Sequence, residues 1–95
     1  MNIIKFYSSD QVCDIINHDL KLEDKEKINP FTLTWWLRKK VIEKDPNSRY
    51  GRYTTDHINK IKEVAFIHCV LGVQLSKIKS TQEYFAKHKI KLKYG

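Results

Sequence analysis

The chain has 95 residues, the size of one small domain, and 18 Lys and Arg against 11 Asp and Glu give a net charge of +7. With 41% hydrophobic and 12% aromatic residues, it is neither a disordered tail nor a collagen-like repeat. The longest apolar runs, such as Val64–Ile67 and Cys69–Val73, fall far short of the ~20 residues a membrane helix needs, and a core this small leaves little room for a deep catalytic cleft.

Met1–Tyr7 has no signal-peptide pattern, and Cys13 and Cys69 lie far apart, which together predict a reducing, cytoplasmic setting without a disulfide framework. The charge is uneven along the chain. Residues 1–29 hold four basic and six acidic side chains, residues 30–52 six and two, and residues 53–95 eight and three. The sign changes just before Pro30.

Ile3–Tyr7 reads as a short strand. Ser8 followed by Gln11 is a capping-box pattern, and Val12, Ile15 and Ile16 then predict a helix over Ser9–Asn17 with one apolar stripe. His18–Asn29 is a mixed-charge loop, with or without a helical turn near Leu22–Lys27. Asn29-Pro30 starts a second helix, to about Lys40, with Asn29 as N-cap. Leu33, Trp36 and Leu37 fall on its core side; Thr34, Trp35, Arg38 and Lys39 fall on its other faces.

Asp45-Pro46-Asn47-Ser48 is a turn by composition, and Val41–Lys44 and Arg49–Thr54 can pair around it as a hairpin. Thr54 or Thr55 caps a third helix whose apolar face is Ile58, Ile61, Val64, Ala65, Phe66 and Leu71, ended or re-aimed by Gly72. A fourth helix follows over about Gln74–Ala86, with Leu75, Ile78 and Phe85 inward. The tail His88–Gly95 alternates apolar and basic residues, which suggests a strand able to pair with Ile3–Tyr7. The expected architecture is mainly α with a small β hairpin: four helices plus a wing, in a single domain spanning residues 1–95. A helix pair followed by a basic hairpin is the order of a winged helix-turn-helix.

All three arginines, Arg38, Arg49 and Arg52, fall close together, interleaved with Trp35, Trp36, Tyr50 and Tyr53. Guanidinium forks bind phosphate and read guanine edges, while neighbouring aromatics pack on sugars or bases. Adjacent tryptophans cannot share a helix face, so Trp36 joins the core and Trp35 points outward beside Arg38. The alternative for Arg38, Lys39 and Lys40 is a solvated helix end that complements the C-terminal dipole, but the basic hairpin expected next to them favours phosphate and base contacts for Arg38 and Lys39. Tyr50 and Tyr53 are expected to divide the work, one packing inward on the third helix and one reaching a phosphate. No Gly-rich phosphate loop, nucleophile triad or paired-carboxylate pattern is present. His18, His57, His68 and His88 have no partner at metal spacing, so no cofactor or metal is expected, and the cysteines read as two buried thiols.

Several segments also look like one family. Tyr7-Ser8-Ser9-Asp10-Gln11-Val12 resembles the opening of the MerR-family DNA-binding domain, and Thr32-Leu33-Thr34-Trp35-Trp36-Leu37-Arg38 resembles its recognition-helix motif. Arg49-Tyr50-Gly51-Arg52-Tyr53-Thr54 is similar to its wing, and to the wing of excisionase-like domains. Gly72-Val73-Gln74-Leu75-Ser76-Lys77-Ile78 resembles the link between its last two helices. The resemblance implies a non-enzymatic, sequence-specific double-stranded-DNA-binding protein, a transcription regulator without an effector region. It implies DNA contacts from Thr32, Thr34, Trp35, Arg38, Lys39, Arg49, Tyr50, Arg52 and Tyr53. Thr34 stands where the family has arginine and Leu37 where it has glutamate, which shifts the expected groove contact to Arg38 or Lys39. The family's long dimerisation helix is not found in the chain. Self-association is therefore expected on repeated sites or through a terminus, with no membrane partner. The alternatives are an architectural accessory factor (in excision, plasmid partition or conjugative transfer) and a module that docks an acidic protein.

Overall fold

The computed structural model describes residues 5–44 and 52–92. Helix α1 (Ser9–Asp19) begins with the expected reciprocal cap. The Gln11 N–H donates to Ser8 Oγ at 3.2 Å, and the Ser8 N–H donates to Gln11 Oε1 at 2.9 Å. Its stripe buries Val12, Cys13 and Ile16, with Ile15 at the edge of the core. The helix outlasts its expected end at Asn17 by two residues. It stops where Lys21 takes a left-handed conformation (φ 54°), so that the N–H of Lys21 reaches the His18 carbonyl and that of Leu22 the Asn17 carbonyl.

The loop that follows is held at both ends by burial of Leu22 and Ile28. Between them the N–H groups of Glu26 and Lys27 both return to the Glu23 carbonyl, a single turn. Asn17 ties α1 to the far end of this loop. Its Nδ2 donates to the Ile28 carbonyl at 2.9 Å while the Ile28 N–H donates to its Oδ1 at 2.8 Å. The side-chain amide thus acts as a surrogate peptide group and sets where the next helix starts.

Helix α2 (Pro30–Arg38) has Pro30 in its first turn and a second reciprocal cap. The Thr32 N–H donates to Asn29 Oδ1 and the Asn29 N–H to Thr32 Oγ1. Leu33 and Trp36 are buried, and Leu37 packs on the edge of the core. The helix ends two residues before the expected Lys40, because Lys40 (φ 57°) is the left-handed residue of its exit. Val41 and Ile42 then run into the core. The turn of the expected hairpin, and its strand residues Arg49 to Gly51, lie outside the described residues. Among those described, Val41–Lys44 form no ladder with Arg52–Thr54.

Helix α3 (Thr55–Ala65) is capped by Thr54, whose Oγ1 accepts from the His57 N–H at 3.2 Å. Ile58, Ile61, Val64 and Ala65 are buried, as the spacing predicts. The chain continues as a π turn over Phe66–Val70, in which the Leu71 N–H bonds the Phe66 carbonyl, five residues back. The extra residue in that turn shifts the phase of the apolar face. Ile67 is buried instead, Phe66 is only partly covered, and Leu71, expected inward, is 47% exposed. Gly72 (φ +74°) then re-aims the chain, a conformation that a Cβ would strain although nothing stands within 4 Å of it. After a 3-10 turn (Leu75–Lys77), helix α4 (Ile78–Lys87) buries Ile78 and rests Phe85 on the core.

The tail departs from expectation. His88–Leu92 is not a strand. Lys89 (φ 54°) closes α4 with the same left-handed exit, the Ile90 N–H reaching the Phe85 carbonyl at 2.8 Å, and Leu92 packs on the core. The alternating pattern reflects a chain folding back over a helix end. Among the described residues, the tail makes no backbone pairing with Lys5–Tyr7. Tyr7 instead makes an antiparallel bridge with Tyr53, with both N–H···O bonds at 2.8 Å. Among the described residues this bridge is the whole of the β structure, and the fold is mainly helical.

Helix α1 is the centre of the molecule, packing on both α2 and α3. The one close inter-helix ion pair among the described residues, Lys62 Nζ to Asp19 Oδ2 at 2.5 Å, joins α3 to the end of α1. No helix of the described residues is long and apolar enough to cross a membrane.

Candidate nucleic-acid interface

Because α2 is fixed by its buried side, its opposite side is defined by helical phase. Phe31, Thr34, Trp35 and Arg38 follow one another at spacings of three and four and are all exposed. Phe31 is 84% and Trp35 49% exposed, against 2% for the neighbouring Trp36. The division of the two tryptophans matches the expectation. Lys39 lies next in the row, with its Nζ 4.7 Å from the Trp35 ring centroid, a cation–π contact that steadies both side chains. The face therefore grades from apolar at the N-terminal turn to cationic at the exit, where Arg38, Lys39 and Lys40 cluster.

Two expected contact residues on this helix have their hydroxyl protons committed. Thr32 is half-buried in the cap, and its Oγ1 donates to Asn29 Oδ1 at 3.3 Å; Thr34 Oγ1 donates to the Pro30 carbonyl at 3.2 Å. Neither is placed to offer a free donor to a ligand.

On the second expected segment, Arg52 is exposed, while Arg49 and Tyr50 lie outside the described residues. Tyr53 does not belong with the contact residues. It is 6% exposed, with its ring centroid 5.1 Å from that of His57, and burial raises its phenol pKa. Of the two tyrosines expected to divide the work, Tyr53 is the inward one. Its backbone pairing with Tyr7 ties the residue before the α3 cap to the N-terminal segment.

Two residues matter here beyond the expected set: Phe31, which sequence reasoning passed over, and His57, which was expected as a surface or partly satisfied histidine and is instead buried. Phe31 was legible in principle, since it stands four residues before Trp35 and off the Leu33–Trp36–Leu37 side. His57 was not. It is 4% exposed, and neither ring nitrogen has a hydrogen-bond partner among the described residues. Its place under Tyr53 is a tertiary fact, invisible to periodicity.

The thiols sit apart from this face. Burial pushes the Cys13 thiol up to about 11, with Asp10 and Asp14 adding to the shift, so it is protonated at neutral pH. Cys69 is half-buried rather than buried, which corrects one of the two expected buried thiols; partial burial, with Glu26 adding, raises its pKa too. His68 donates from Nδ1 to the Val73 carbonyl at 2.7 Å, and its ring meets Trp36 edge-on at 6.1 Å between centroids. A carbonyl can only accept, so the proton is on Nδ1. Among the described residues no cluster of three His, Cys, Asp or Glu could hold a metal ion.

Comparison with models of protein families, with curated proteins and with solved structures finds no match for this chain.

Proposed function

We propose that this protein binds double-stranded DNA sequence-specifically as a winged helix-turn-helix of the MerR-like kind, and serves as a transcription regulator without an effector domain. Helix α2 enters the major groove with Phe31, Trp35, Arg38 and Lys39. Arg49, Tyr50 and Arg52 act as the wing on the adjacent backbone or groove. The observation that carries this reading is the two-sidedness of α2: a helix locked into the core by Leu33 and Trp36 while its outward side presents rings and cations. A surface helix with no ligand to meet rarely spends an aromatic pair on solvent. The charge balance of residues 30–52 complements a phosphate backbone.

Selection of bound sequences from random duplex DNA tests the reading directly, and is expected to yield a defined site. Trp35→Ala is expected to weaken binding to that site about tenfold, the scale of a lost aromatic contact, with the thermal unfolding transition unchanged. Arg38→Ala is expected to lower the salt dependence of binding if the contact is to phosphate, or to relax one position of the site if it is to guanine. Failure to retain any duplex at low salt would overturn the proposal and favour a protein partner for the same face.

A further inference from the structure

The outward side of α2 is short of hydrogen-bonding groups where a groove-reading helix most needs them. In helix-turn-helix proteins the N-terminal turns of the second helix approach the base edges. Here those turns present the Phe31 ring, 84% exposed, and Trp35, while the hydroxyl protons of Thr32 and Thr34 are committed to Asn29 Oδ1 and the Pro30 carbonyl. The cationic groups, Arg38 and Lys39, sit at the opposite end, and Lys39 is held over the Trp35 ring. An apolar tip with a cationic heel is the wrong chemistry for reading purine acceptors at the groove floor. It suits the one apolar group that B-DNA displays there, the C5-methyl of thymine.

We propose that Phe31 reads thymine methyl groups in the major groove, with Arg38 and Lys39 fixing the helix on the flanking phosphates. The inference rests on the DNA-binding reading above and narrows it to sites that carry thymine under the N-terminal turn of α2. Charge complementarity sets the polarity, because 14 of the 18 basic residues of the +7 chain lie after Pro30 and the exit of α2 carries three of them in succession. Phe31 itself adds no charge. What it contributes is apolar area that water must otherwise cover.

The test uses the full chain and the duplex recovered by selection. Thymines in that site are replaced one at a time by deoxyuridine, which removes the methyl and leaves the base-pairing edge intact, and binding is read by fluorescence anisotropy at fixed salt. Substitution of the contacted thymine is expected to raise Kd about fourfold, the cost of exposing one methyl-sized group. Phe31→Ala is expected to bind the thymine and deoxyuridine duplexes equally, with its unfolding transition unmoved because the ring touches solvent. Phe31→Leu is expected to restore part of the difference.

A site without thymine, or a duplex bound equally well with deoxyuridine throughout, would refute methyl reading while leaving DNA binding intact. A difference that survives in Phe31→Ala would assign the methyl contact to another residue and refute the role of Phe31. If no duplex is retained at all, the underlying reading has failed.

Discussion

At the scale of single residues, the molecule separates groups that hold the fold from groups that face outward. Asp19 belongs to the first set. The hydrogen bond from Lys62 is the largest influence on its carboxyl and holds its pKa below the ordinary 3.8, against a smaller opposing effect of burial; the His18 ring at 3.4 Å adds to the lowering. A carboxyl with a depressed folded-state pKa stabilises the protein above its unfolded value, and that contribution is lost as pH falls through the folded one. Asp19→Asn is therefore expected to cost about 1 kcal/mol at neutral pH. At acid pH, once the depressed carboxyl is protonated in the folded state too, the difference from wild type should shrink toward zero. Urea unfolding at the two pH values checks both parts, and an equal loss at each would show that the ion pair is not the cause. Single residues also mark the limit of legibility. The Trp35/Trp36 division follows from helical phase alone, whereas burial of Tyr53 on His57 needs the third dimension.

At the scale of elements, the starts of α1, α2 and α3 were legible, whereas α4, expected from about Gln74, begins at Ile78 after the 3-10 turn. Ser8, Asn29 and Thr54 all cap the helices that follow them, because a cap is a local side-chain-to-backbone bond between residues three apart. The exits of α1, α2 and α4 use the same left-handed turn with a lysine in it, at Lys21, Lys40 and Lys89. Lysine carries no sequence signal for that conformation, which is why the ends of α1 and α2 fell two residues from expectation, while α4 ends within one residue of it. The conformation costs an L-residue with a Cβ about 1 kcal/mol, and glycine adopts it freely. Lys21→Gly and Lys89→Gly, both away from α2, are each expected to raise stability by about 0.5–1 kcal/mol, visible as a higher urea midpoint at unchanged slope. A drop in midpoint would mean that the lysine side chains make contacts worth more than the backbone strain. The π turn at Phe66–Val70 was illegible for another reason. A single inserted residue preserves composition and changes only phase, so Leu71 looks like core until the turn is seen.

At the scale of the whole molecule, the mainly helical fold could be read from spacing, and the order of its parts prompted the DNA-binding proposal. The pairing of the N-terminal segment could not be read, since any alternating stretch is a formal partner for any other. Tyr7 pairs with Tyr53, next to the cap of α3, while the described tail residues close α4. In the proposed role a single module of this size would bury only about 600–1,000 Å² on DNA, so one copy is expected to bind weakly. Occupancy of a duplex carrying two or more repeats of the selected site is expected to rise more steeply with protein concentration than occupancy of one repeat. Equal steepness on both would mean that copies do not help one another. Residues 1–29 are net acidic while the rest of the chain is basic, which would give the proposed association a direction.

The amide of Asn17 carries a further consequence. Two opposed bonds to Ile28 make it the latch between α1 and the start of α2. An aspartate in its place would turn the donor that meets the Ile28 carbonyl into a second acceptor, setting oxygen against oxygen. Such a chain would keep its apolar core and its caps, yet begin its outward-facing helix from a loosened mooring.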